Sequence, residues 1–154
     1  MNYYYVNKYK STKTVFSEIQ ARTIGQLPIP NISLFDQQYF IEEADEMLVI
    51  NKNLHELIDK FLHRIQDNLR IKKLTRKLES FYEGDFKDFI AELKKQKVSL
   101  SLVQQDEWEP YFKEYQEKIL TLKGEIESTD KEIDEMVFEL YGLSEEERRV
   151  VEGR

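Results

Sequence analysis

Cysteine is absent from the 154 residues, which excludes both a disulfide framework and a zinc–thiolate site and agrees with a reducing cytoplasm. Glycine and proline are scarce, at five and three residues. An all-β domain needs turn residues at short intervals, so this scarcity favours helices. No apolar run approaches the roughly 18 residues of a membrane span. The opening residues 1–10 are rich in tyrosine and carry Lys8 and Lys10, without the apolar centre of a signal peptide. The expectation is a cytoplasmic chain with no membrane partner. The two histidines, His55 and His63, stand two helical turns apart rather than at the i, i+4 spacing of zinc enzymes. There is no glycine-rich phosphate loop and no Ser or Cys in a nucleophile setting. No residue is therefore assigned to catalysis, to a metal or to a cofactor.

Charge is plentiful, 34% of the residues with a net of −7, and it is unevenly spread. Residues 1–30 carry four basic groups and one acidic, and residues 70–97 carry nine basic and five acidic. Residues 31–69 and 98–154 are acidic, with net charges of −5 and −9. Positive potential thus sits at the N-terminus and in the middle, which is where contact with duplex DNA belongs if the chain makes any. The candidate DNA-binding residues are Lys8, Lys10, Lys13 and Arg22, interleaved with Tyr4, Tyr5 and Tyr9, and a second cluster of Lys72, Lys73, Arg76 and Lys77. The plainer reading places the tyrosines in a core and the second cluster on a solvated helix face.

Along the chain, residues 11–32 read as a strand or two with irregular connections, because Thr14–Phe16 is β-prone and each proline of Leu27-Pro28-Ile29-Pro30 pushes its predecessor out of the α region. Ser33 is a good N-cap with Asp36 in the first turn. A long helix follows over 35–69, its seam of Phe40, Ala44, Met47, Asn51, Leu54, Ile58, Phe61 and Ile65 alternating in steps of four and three. A second seam of Tyr115, Ile119, Leu122, Ile126, Thr129, Ile133, Met136 and Leu140 has the same spacing. It predicts a helix over 106–141, with Pro110 in its first turn and Gly142 as a left-handed cap. Asn51 and Thr129 are the polar members of the two seams; they either share a hydrogen bond or face solvent where the helices splay.

Between the long helices, two short amphipathic helices meet at Gly84. In the second, Phe86, Phe89, Ile90 and Leu93 fall on one face. Residues 97–102 alternate apolar and polar, as a short strand or a loop. The fold class is mainly α: a long antiparallel, coiled-coil-like helical hairpin capped by short helices, with a small extended or β remnant at the N-terminus. The divisions are 1–32, 33–70 (first long helix), 71–105 (cap at the hairpin tip) and 106–154 (second long helix and a C-terminal short helix).

The Leu27-Pro28-Ile29-Pro30 segment followed by Gln37-Gln38, together with the ending Leu140-Tyr141-Gly142-Leu143 capped by Ser144, resembles the C-terminal specificity region of fused restriction-modification enzymes of the type IIG and TaqI-like class. Tyr39 departs from that pattern, which has proline after the glutamine pair. The resemblance covers about a third of the chain, residues 16–41 and 132–153 at its two ends. It implies that residues 1–32 are the end of a truncated target-recognition domain and that the chain is a spacer or brace. The parent would be a site-specific adenine methyltransferase, with or without a nuclease. S-adenosylmethionine is then a cofactor of the parent and not of this chain. Its partners are duplex DNA through the parent and the parent's own methyltransferase and recognition domains. The isolated chain is expected as a monomer or weak dimer. The Asn-Pro-Pro-aromatic motif by which such enzymes hold adenine is absent, so this chain alone is not expected to be an enzyme.

The sequence admits two other readings. Glu92-Leu93-Lys94 with Asp85 or Asp88 upstream resembles the acidic metal set of many nucleases, but all fall on one amphipathic helix. A free-standing interaction protein would use the same seams for an intermolecular coiled coil.

Overall fold

The structure, a computed structural model, describes residues 29–153. Two compact units divide the chain, one of residues 39–133 and one formed by residues up to 38 together with those from 134 onward. Among the described residues every regular element is helical: α1 (Leu34–Leu69), α2 (Arg76–Glu79), a 3-10 turn (Phe81–Glu83), α3 (Phe86–Lys95), α4 (Leu102–Tyr141) and α5 (Glu145–Glu152).

In the larger unit α1 and α4 pair antiparallel. Phe61 meets Tyr111, Phe112 and Tyr115, Lys60 lies beside Glu114, and Asn53 and Thr121 line one groove farther along. The apolar seams explain the pairing. All eight members of the second are at least partly buried, and of the first only Ala44 is exposed, its place taken by half-buried Glu43. This register sets Asn51 about six residues, or about 9 Å, from the point facing Thr129. Asn51 instead donates its amide to Met47 O, one turn back on its own helix.

The second long helix begins at Leu102 rather than 106. Ser101 and Gln104 explain the earlier start. Ser101 Oγ accepts from Gln104 N at 3.3 Å, and Gln104 Oε1 accepts from Ser101 N at 2.9 Å, a reciprocal cap that satisfies two free amides. Pro110 consequently stands in the third turn and not the first, where its missing N–H leaves the carbonyl of Asp106 without its helical donor. Residues 97–101 form no strand.

The tip packs on the hairpin through aromatic rings. Phe61, fully buried, stacks on Phe81 at 3.8 Å between centroids and approaches Phe89 and Trp108 from other sides. Phe86, Phe89, Ile90 and Leu93 of α3 all join this core, as the spacing predicts. Of the first expected short helix, only four residues and the 3-10 turn are helical, and residues 70–75 are not. From α4, Gln116 donates its amide to Tyr82 O at 3.0 Å and Gly84 O at 2.6 Å. The turn between α2 and α3 is thereby tied to the long helix.

In the smaller unit, residues 29–33 have no regular structure, consistent with the proline-directed extension, and the remainder of residues 1–28 lies outside the described part. Ser33 caps α1 as expected, accepting from Asp36 N at 3.1 Å. At the end of α4, Gly142 is left-handed with φ of 62°. Leu143 N donates to Phe138 O and Gly142 N to Glu139 O, which closes the helix. Ser144 then opens α5 with a capping box to Glu147. Arg148 holds α5 back on α4, its guanidinium 2.6 Å from Glu135 and over the Phe138 ring.

Candidate functional site

The described part of the predicted basic set lies at the hairpin tip. Lys72 and Lys73 occupy the bend after α1, and Arg76 and Lys77 form the first half of α2. All four are exposed, and among the described residues none has a carboxylate within ion-pair distance. Lys8, Lys10, Lys13 and Arg22 fall outside the described residues.

The fold adds cations that the sequence reading had not singled out. Thr75, the N-cap of α2, donates its hydroxyl to Glu92 Oε1 on α3 at 2.9 Å, and Lys95 donates to Glu92 Oε2 at 2.8 Å. This carboxylate is only 8% exposed. Its pKa is held below the usual range by the Lys95 and Thr75 hydrogen bonds, with Lys77 adding a weaker attraction. Glu92 thus fastens the start of α2 to the end of α3, and in doing so draws the 72–77 segment toward Lys94, Lys95 and Lys97. Their clustering at the end of a predicted helix was the available signal. Missing was any sequence cue that Thr75 and Glu92, 17 residues apart, bond to each other.

Two of the basic residues hold a backbone conformation that normally selects glycine. Arg70 has φ of 54° and Lys97 φ of 64°. At Lys97 the bonds Val98 N to Leu93 O and Lys97 N to Lys94 O form the same closing pattern that Gly142 makes after α4, so Lys97 occupies a glycine position. A cation at a helix C-terminus is favoured by the helix dipole, which offsets part of the strain.

The carboxylates of the nuclease-like reading are engaged in holding α3. Asp85 and Asp88 form its capping box, and Glu92 is tied to Thr75 and Lys95. Among the described residues no group of three or more His, Asp or Glu is placed to hold a metal ion. His55 and His63 are both exposed on α1.

A shallow groove of about 470 Å³ runs beside the tip, lined by Lys60, Arg64, Asn68, Glu107, Trp108, Tyr111 and Tyr115. Burial and the hydrogen bond with Tyr115 push the Tyr111 hydroxyl up to about 12, so it stays protonated at neutral pH. Trp108 is half-buried against Phe61 on α1 and Tyr111 on its own helix, so it helps join α4 to α1. Chemically, the tip is net positive and exposed: nine basic residues over 70–97 stand against five acidic ones, of which Glu79, Glu83, Asp85 and Asp88 also face solvent and Glu92 is buried.

No helix among the described residues is long and apolar enough to cross a membrane. Comparison with curated proteins returned no match, and neither did comparison with solved structures. One family model matches residues 34–137, which spans all of α1, the whole tip and nearly all of α4. The chain therefore belongs to the family described as Domain of unknown function (DUF8810).

Proposed function

We propose that this chain is a helical brace from the C-terminal specificity region of a restriction-modification enzyme. Its parent would be a site-specific adenine methyltransferase using S-adenosylmethionine, with or without a nuclease, and the brace would hold target recognition at a set distance from the chemistry. The reading starts from the resemblance of residues 27–38 and 140–144. The observation that supports it is the pairing of α1 with α4, locked by the rings around Phe61. A reader of bases must keep its groove-facing elements at fixed distance and angle from the reacting base, and a flexible linker cannot do this. The test is an immunoblot of the source cells with antibody to this chain. A band several-fold heavier than 18.6 kDa supports a fused enzyme, and a band at that mass removes the reading.

The second reading, a free-standing interaction protein, is favoured by the exposed apolar side chains of Leu48 and Val49 on α1 and Leu120 on α4, which no described element covers. Dilution separates the two: an intramolecular hairpin keeps its helicity, whereas an obligate intermolecular coiled coil loses it.

A further inference from the structure

We infer that the tip of the hairpin is a composite binding surface for the phosphate backbone of duplex nucleic acid, built from two segments that the fold brings together. The first supplies Arg70, Lys72, Lys73, Arg76 and Lys77; the second supplies Lys94, Lys95 and Lys97. The inference deepens the brace reading and rests on it for the identity of the polymer as DNA.

Three observations carry it. The Thr75–Glu92 hydrogen bond, together with packing of Leu78, Phe89 and Leu93 in one core, joins the segments. Among the described residues, Lys95 alone of the eight cations forms an ion pair, with Glu92, and all eight are exposed; their charge is directed to solvent. The third observation is conformational. Arg70 and Lys97 carry cations at left-handed positions where glycine would remove the strain.

The composition of the patch selects among polyanions. Six of the eight residues are lysine, a residue depleted from protein–protein interfaces but well suited as a point charge against phosphate. No exposed aromatic side chain lies within 70–97, so bases have nothing to stack on. The contact is therefore with the backbone and indifferent to sequence. It would position the brace, leaving base reading to other parts of the enzyme.

The experiment is fluorescence anisotropy of the full 154-residue chain with a labelled random-sequence DNA duplex, titrated between about 50 and 200 mM salt. The expected result is binding whose logarithm falls linearly with log salt, with a slope of about −0.9 per phosphate contacted. Reversal of Lys72, Lys73, Lys94 and Lys97 to Glu should weaken it by about tenfold or more and flatten the slope. Four reversals also change the charge balance of the whole tip, so Arg70→Gly with Lys97→Gly serves as the second variant. It should melt no lower than the parent chain yet bind more weakly.

Three outcomes overturn the inference: no binding at the lowest salt; binding that survives tip reversal but is lost when Lys8, Lys10, Lys13 and Arg22 are reversed; or stronger competition by polyglutamate than by unlabelled duplex, which points to an acidic protein partner. The immunoblot is independent of all three. A heavy band with no tip binding leaves the brace and removes the phosphate surface, and an 18.6 kDa band with salt-steep tip binding does the reverse.

Discussion

Phe61 on α1 and Phe81 in the 3-10 turn stack nearly parallel, with ring centroids 3.8 Å apart and planes 17° from each other. Four more rings, those of Phe89, Tyr111, Phe112 and Tyr115, stand within 6.1 Å of Phe61, so one side chain joins α1, α3, α4 and the turn. Phe61→Ala should cost about 3 to 5 kcal/mol, the range for a fully buried phenylalanine. Phe35, 87% exposed, provides the control, with a change within about 0.5 kcal/mol. Urea midpoints of the two variants measure the difference, and near-equal values would remove Phe61 from its central place.

Gln116 has no apolar periodicity to announce it, yet its amide spans two carbonyls of the tip turn. Gln116→Glu removes the donor and sets a carboxylate against both oxygens, so it should destabilise the chain by about 2 kcal/mol. Gln116→Ala, which leaves the carbonyls unpaired without adding charge, should cost less. Reversal of that order in chemical unfolding would refute the bridging role.

Glu92 gives the tip a pH dependence of known sign. Its folded-state pKa is lowered from 4.5, first by the Lys95 hydrogen bond and then by that of Thr75. A lowered carboxyl pKa contributes stability that is fully present above the unfolded value and lost as pH falls through the folded one. The stability gap between the natural chain and Glu92→Gln should therefore be constant near neutrality and close below about pH 4.5, as followed by thermal melts across that range. A gap that widens in acid would contradict the arrangement.

Pro110 is exposed within α4 and cannot donate to the carbonyl of Asp106. Pro110→Ala restores that donor and should raise stability by about 1 to 3 kcal/mol, given the intrinsic penalty of proline inside a helix. Differential scanning calorimetry would show a higher Tm. An unchanged or lower Tm would mean that the surrounding packing depends on the proline.

Every member of the second seam is legible in the spacing from Tyr115 to Leu140, and so are the caps at Ser33, Gly142 and Ser144, because helix period and capping chemistry are local properties. The start of α4 lies four residues before the one that Pro110, as a first-turn residue, predicts, because the reciprocal Ser101–Gln104 cap sets the end. Four basic residues at the tip were foreseen as a group; Lys94, Lys95 and Lys97 joined them only in three dimensions.

What the amino-acid order determined by itself was the helical class, the two seams and the separation of a basic middle from acidic flanks. Each depends on residues within a few turns of one another. The tertiary structure alone decided the register that keeps Asn51 from Thr129, the convergence of five rings on Phe61, and the Thr75–Glu92 bond that unites two basic segments. These depend on contacts between residues far apart in the chain, whose closure is set by packing the whole core at once and is not encoded in any local pattern.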